Sequence, residues 1–322
     1  MPKYKPVGQL LPGLYRPPAL KLKYIKTKCC FIGGFILITY RKLEHSDYQD
    51  IVELCRDIWD GTDYLPELFH GWVDDRGLFL GAIDSETGRV VGTDKYSVLP
   101  DGTGWLEGLR VHKNYRGQKI AKELADRILA ASKQELQEGK VDKLAFSTHL
   151  SAVESIGMMK KENFIIAQQH ILVTKQYSAI QPDWNISDYT VEPWDISYEE
   201  FSTHPYIMNR DGLLPFVFYF QKPTKELYEE LREEKCFIKI NGYRGLYKFK
   251  GEPHFACFDE SFDAIETFMN YYLLKLNGLS AVEPMTSVRT EDAALLDRLK
   301  AAGFGSICNW EPDYLYFVYD MK

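Results

Sequence analysis

Trp105-Leu-Glu-Gly-Leu-Arg-Val-His-Lys-Asn-Tyr-Arg-Gly-Gln-Lys-Ile-Ala121 decides how the rest of the chain is read. Gly104–His112 reads as a strand, Ile120–Leu136 as a strongly amphipathic helix, and the turn between them is basic. Arg110, His112, Lys113, Arg116, Lys119 and Lys122 crowd that turn, with no acidic residue from Arg110 to Lys122. The first amides of a helix lack intrahelical partners and the helix dipole is positive there, so such a terminus suits a phosphate. A capped surface helix with a solvated basic face is the plainer reading of the same residues.

Working outward, Phe35–Tyr40 is β-rich, and Ser46–Trp59 has a helical period with Ser46 placed as N-cap. Pro66 suits the first turn of a second helix. Leu78–Asp84 and Val90–Leu99 read as a hairpin turning at Ser85–Gly88. Lys143–Thr148 is a predicted strand, Ala152–Lys161 a helix and Phe164–Thr174 a strand. This order predicts a mixed α/β (α+β) fold, a twisted sheet flanked by helices.

Gln181–Asp195, with Pro182 and Pro193, reads as a linker. Beyond it the element order repeats. Cys236–Ile240, Gly245–Lys250 and His254–Phe258 are predicted strands, Phe262–Leu276 a helix, Ala281–Val288 a strand, Asp292–Ala301 a helix and Tyr314–Tyr319 a strand. Aligning Phe164 with Phe304 lays the segment 143–164 on 283–304, a period near 140 residues. The expected organisation is a basic extension over 1–35, a first domain over 36–178, and a degenerate second copy over 179–322.

The 322 residues carry a net charge of −7 and 45% apolar residues, which argues for a globular chain with no bulk attraction to nucleic acid or anionic membrane. Six cysteines (29, 30, 55, 236, 257 and 308) form no CxxC pair, so no metal site is expected, and a cytoplasmic location is. Residues 1–34 hold seven Lys or Arg and no Asp or Glu. The apolar run Cys29–Tyr40 that follows is too short to span a bilayer. A monomer or homodimer is expected.

The stretch opening this section resembles the pyrophosphate loop of the GNAT family of N-acetyltransferases, [QR]-x-x-G-x-[GA] after a strand ending V-x-P. Here it reads Arg116-Gly117-Gln118-Lys119-Ile120-Ala121. Arg116 and Ala121 match, Lys119 stands where the family prefers Gly, and Lys113 replaces the proline. The resemblance covers residues 36–174 in element order and implies acetyl-CoA as cofactor. A lysine keeping a negative φ would preserve the loop's path while adding charge. The resemblance further implies that pantetheine lies between splayed strands against the backbone of Leu109, Arg110 and Val111, with the Val111 N–H as oxyanion donor.

Acetyl transfer to an amine needs a neutral nucleophile and a proton acceptor. Glu107 is the base candidate, and Gly104 and Gly108 beside it could admit a bulge that aims it. Where the family carries N-x-x-S-x-x-x-Y, this chain has Ala152, Ser155 and Met159, so the usual general acid is missing and His149 is the nearby alternative. The acceptor is expected near Asp60, Asp63 and Tyr64, whose Asp63-Tyr64-Leu65-Pro66 context resembles the branch containing vertebrate histidine N-acetyltransferase. A small-molecule amine is the expected substrate, the α-amine of a free amino acid such as histidine. Arg210, Arg244 or Arg289 would meet its carboxylate, and Phe216–Phe220 and Asn241–Arg244 are the second-half segments that would shape the site. A non-catalytic acyl-CoA-binding module, or a peptide or protein amine as acceptor, are the alternatives.

Overall fold

The computed structural model describes residues 27–31, 34–248, 253–280 and 282–321. Strand β1 (Thr27–Phe31) pairs antiparallel with β2 (Gly34–Lys42), so the end of the stretch read as an extension adds a strand to the sheet edge. Residues 1–26 of that extension lie outside the described residues.

The first half continues with α1 (Tyr48–Cys55), α2 (Leu65–Asp74), β3 (Gly77–Asp84), β4 (Val90–Val98), β5 (Thr103–Val111), α3 (Ile120–Gln137), β6 (Lys143–His149), α4 (Val153–Lys161) and β7 (Phe164–Thr174). The helix predicted over Ser46–Trp59 is shorter at both ends. Ser46 falls inside a 3₁₀ turn, His45–Asp47, where the Asp47 carboxylate takes the Glu44 amide at 2.8 Å. At the other end Trp59 sits at φ 47°, outside helical space, and starts the short turn Trp59–Gly61.

The second half brings β8 (Val191–Pro193), α5 (Tyr198–Ser202), α6 (Pro205–Met208), β9 (Leu214–Phe216), β10 (Tyr219–Gln221), α7 (Lys225–Glu233), β11 (Phe237–Ile240), β12 (Tyr243–Lys248), β13 (His254–Cys257), α8 (Phe262–Leu276), β14 (Met285–Arg289), α9 (Ala293–Ala301), β15 (Gly305–Ser306) and β16 (Tyr314–Tyr319). The strand predicted from Ala281 begins at Met285.

One sheet runs β1-β2-β3-β4-β5-β6-β16-β7-β14-β13-β12-β11-β8, with β15 also on β7. The last strand of the chain therefore lies between β6 and β7, and the sheet continues across residue 178. Within this sheet the described pairings are antiparallel except β5 with β6 and β13 with β14. Helices cover both faces. Alternate residues of β3 and β4 divide between them: Leu80 and Val91 pack with Ile120, Leu124 and Ile128 of α3, while Phe79 and Val90 pack with Ile51, Leu65 and Phe69 of α1 and α2. No helix among the described residues is long and apolar enough to cross a membrane.

Candidate active site

Strands β5 and β6 pair in parallel only at Thr103, Gly104 and Trp105. Beyond that they diverge, β5 running on to Val111 and β6 to His149, where β6 is held instead by β16. The splay opens a cavity of about 240 Å³ that reaches both faces of the sheet, lined by Trp72 on the α2 side and by Ile128 on the α3 side. His112 donates its amide to Val91 of β4 at 2.9 Å. Alternation of strand donors turns the Val111 N–H the opposite way, into the splay.

A bulge lies in the wall of this opening. Thr93 pairs with Arg110 and Lys95 with Glu107, so β5 carries one residue more than β4 over the same length. Gly108 occupies the bulge at φ 79°, and a Cβ there would come within 2.8 Å of the Trp72 ring, so glycine is required twice over.

Glu107 lines the cavity from the bulge and is held from three directions. Tyr219 donates its hydroxyl to Oε2 at 2.6 Å, Ser97 donates to Oε1 at 2.5 Å, and the Lys95 ammonium lies 3.3 Å from Oε1. Lys95 is 1% exposed, a cation that burial would make costly without partners. It has Glu107, Ser97 and Asp75 (3.0 Å), and it lies 5.0 Å from the Trp72 ring centroid. Tyr219 comes from the second half, on a hairpin of β9 and β10 whose two turn residues, Val217 and Phe218, have φ of 50° and 64°. Left-handed conformations at β-branched and aromatic residues are strained, and the turn is over-determined by its surroundings. Val217 donates its amide to His254 Nδ1 at 2.6 Å, and the Phe218 carbonyl accepts from Ser147. Burial raises the Tyr219 hydroxyl well above the ordinary tyrosine range, with the Glu107 charge adding to it, so Tyr219 stays a donor.

His149 also lines the cavity, beside Phe218 at 4.8 Å between ring centroids, with Nδ1 unpartnered. Burial lowers its pKa to about 4, so near neutral pH the ring is uncharged and a weak proton donor. Met159 is buried in the α3-side core and Ser155 borders the cavity. Asp94, which the sequence reading did not single out, lines the cavity too, and burial raises its pKa well above the usual carboxylate value.

At the mouth, Asp63 is fully buried and takes Arg110 in two contacts, Nε to Oδ2 at 2.7 Å and Nη2 to Oδ1 at 3.3 Å, as well as the Leu65 amide at 3.0 Å. Asp63 is thereby committed to a guanidinium of the chain itself, which removes it as a free anchor for a substrate ammonium. The Asp60 side chain lies outside the described residues. Tyr64 lines the cavity, and Trp59 and Tyr64 lie 4.7 and 5.7 Å from the Arg110 guanidinium. Arg110 thus presents its side chain to the cavity, while its carbonyl lies against Gly92 of β4. Arg210 and Arg289 face Glu260, and Arg244 is paired with Asp259. None of the three reaches the cavity, nor does Asn241–Arg244.

Below the splay, α3 starts with no side-chain cap, so its first-turn amides remain without intrahelical partners. Gly117 has φ 78° and Lys119 φ 64°. The negative φ expected of Lys119 is thus replaced by a left-handed residue, at a cost of roughly 1–2 kcal/mol for a side chain in that conformation. The turn into α3 demands it, and this is where the family pattern has Gly. Arg116 donates Nε to the Val111 carbonyl at 3.3 Å, tying the loop to the end of β5. Lys113 pairs with Asp57 and Lys122 with Asp126, and among the described residues Arg116 and Lys119 enter no ion pair. Gln118, Ile120 and Ala121 complete the loop and helix start.

The sequence signal for Lys95 and Asp94 was available: Thr93-Asp94-Lys95 is a polar triplet inside an eight-residue buried run. Nothing local points to the pairing of Tyr219 with Glu107, which are 112 residues apart.

Residues 43–164 match the model of the Acetyltransferase (GNAT) family. The histidine N-acetyltransferase of Xenopus tropicalis is 30% identical over 128 residues, 39% of this chain and 38% of that protein, so the match spans well under two thirds of the relative. Among solved structures, a candidate acetyltransferase of Pyrococcus horikoshii superposes with a TM-score of 0.58 at 13% identity, covering 91% of this chain and 92% of that one. A GCN5-related N-acetyltransferase of Sphaerobacter thermophilus gives 0.55 at 13%, covering 87% and 95%. These two likenesses show the fold, and they extend over both halves of the chain. The splayed strands, the bulge and the uncapped basic helix start all fall within residues 43–164, the segment that is similar to the acetyltransferase (GNAT) family.

Proposed function

We propose that the chain is an acetyl-CoA-dependent N-acetyltransferase acting on the amine of a small molecule, a free amino acid such as histidine. The observation that carries this reading is the Glu107 carboxylate, set by a bulge into the cavity where β5 and β6 part. The residues fit the cofactor: an uncapped basic helix start suits a pyrophosphate, and a splay with an inward amide at Val111 suits an extended arm. Acetyl-CoA supplies the acetyl thioester, and the rest falls to the protein.

Arg116, Lys119 and the first-turn amides of Ile120 and Ala121 hold the anionic end. The Val111 N–H donates toward the oxygen on which charge develops. Glu107 takes a proton from the incoming ammonium, directly or through one water, so that a neutral amine attacks. Ser97, Lys95 and Tyr219 fix the carboxylate so that its orientation is set before the amine arrives. Asp94, on the cavity wall with its pKa raised by burial, is the group the cavity offers as acid in place of the tyrosine that Met159 replaces. The choice of histidine is supported by the Xenopus tropicalis relative.

The test is a panel of the twenty free amino acids, polyamines and short peptides with acetyl-CoA, read as thiol release. Turnover led by a free amino acid is expected. Peptides exceeding every free amino acid in kcat/KM would defeat the small-molecule reading, and another amino acid leading would defeat only histidine.

A further inference from the structure

We propose that Arg110 is the carboxylate-binding residue of the acceptor site, which makes the substrate class α-amino acids rather than amines at large; this rests on the reading of Glu107 as the base. In a regular strand, residues three apart point to opposite faces. Glu107 and Arg110 would then never share a pocket. The bulge changes that parity: their β4 partners Lys95 and Thr93 are two apart and share a face, so Glu107 and Arg110 share one too. Along the strand this puts the two positions roughly 7 Å apart, two strand residues. An amine at one and its carboxylate at the other is the spacing an α-amino acid spans between two side chains.

The guanidinium is prepared for an anion. Three of its N–H groups are committed, two to Asp63 and one to the Leu109 carbonyl at 3.1 Å. Even with a fourth turned to the Tyr64 hydroxyl, one of the five remains for a ligand. The side chain is only 12% exposed, so it is already desolvated, and Asp63 fixes its plane while the Trp59 ring packs against it. An arginine held on one edge by an aspartate presents its other edge in a set direction, which favours the planar carboxylate over a bare amine. Lys95, the other cation near Glu107, already faces Glu107, Asp75 and Ser97.

The experiment compares each accepted amino acid with its own decarboxylated amine and its methyl ester, starting with histidine, on the intact chain and on Arg110→Gln and Arg110→Lys. The intact chain should favour the amino acid by roughly 10²-fold or more in kcat/KM, the scale on which a site built to bond a group rejects the analogue lacking it. Arg110→Gln should lower the amino acid by that factor and leave the amine nearly unchanged, so the ratio collapses toward one; Arg110→Lys should restore only part. A residue that merely anchored the 59–64 loop would lower both substrates together and keep the ratio. Should Arg110→Gln fold poorly because Asp63 is left uncompensated, the double variant Asp63→Asn/Arg110→Gln removes both charges, and the intact chain's own discrimination is decisive without any variant. Equal handling of acid and amine by the intact chain, or a ratio that survives Arg110→Gln, overturns this inference alone. No turnover of any amine overturns the acetyltransferase reading and this one with it.

Discussion

The sheet has two places where parallel neighbours part, and they have opposite fates. At β5 and β6 three paired positions give way to a cavity of about 240 Å³. At β13 and β14 one paired position, His254 with Met285, gives way to a pocket of about 10 Å³, at the lower limit for a single water. Tyr206 and Arg210 line that second pocket, with the guanidinium 3.7 Å from the Tyr206 ring centroid and 2.7 Å from Glu260. The helices that follow differ in the same sense. The start of α3 is uncapped and flanked by Arg116 and Lys119, which enter no ion pair among the described residues, whereas α8 is capped by Ser261, which accepts from the Ala264 amide, and is preceded by Asp259 and Glu260. Carboxylates complement the positive end of α8 and repel a phosphate there. The same strand-to-helix geometry thus binds an anion or excludes one according to a few side chains. The excluded half is put to other use: it sends Tyr219 across to Glu107.

The largest effect expected from this contrast is at Arg116. Arg116→Glu should abolish detectable coenzyme A binding, because it places a carboxylate at the only uncapped basic helix start of the two. The matching change at the other junction, Ser261→Ala, should cost about 1 kcal/mol of stability through the lost cap and leave binding alone. Calorimetric titration and denaturant melts on both variants check this, and a loss of binding in Ser261→Ala would break the contrast.

Glu107→Gln should lower kcat by roughly 10²-fold or more, in the range of a lost general base, with coenzyme A affinity nearly unchanged. Near-normal turnover would move the base elsewhere. Tyr219→Phe should act less strongly, about tenfold in kcat, because the Glu107 carboxylate loses a hydroxyl that fixes its orientation. A drop in stability with kcat unchanged would reduce Tyr219 to packing.

A further contrast concerns stability against acid. Burial lowers the pKa of His149 to about 4 and those of His170 and His254 to about 3, while an unfolded chain takes up these protons near pH 6.5. Below that pH the unfolded state binds more protons, so the contribution of these neutral rings is fully present above pH 6.5 and is lost as pH falls toward 4. The slope is about 1.4 kcal/mol per pH unit for each proton. His254 also accepts the Val217 amide on Nδ1, so its protonation removes a contact of the strained turn that carries Tyr219. Urea unfolding at pH 7.5, 6 and 5 should show the decline, and His149→Gln should reduce its slope by one proton's worth. A flat profile would contradict the burial of these rings.

Most of the element order was legible because each element repeats a local period: alternate apolar residues for strands, and for α3 a stripe through Ile120, Leu124 and Ile128. Glu107 and the loop at Arg116 were legible because they adjoin such elements. The position of β16 between β6 and β7 was not, since nothing local in Tyr314–Tyr319 names a neighbour. The commitment of Asp63 to Arg110 was hidden for the same reason, with 47 residues between partners, and so was the closing of the second splay by Arg210. The left-handed Lys119 was misjudged because the charge of a side chain says nothing of the φ a turn demands.

The account turns on one open splay and one closed. Isothermal titration of the intact chain with coenzyme A measures that directly. One molecule per chain, lost in Arg116→Glu, is the predicted result; two per chain, or one that survives Arg116→Glu, would contradict it.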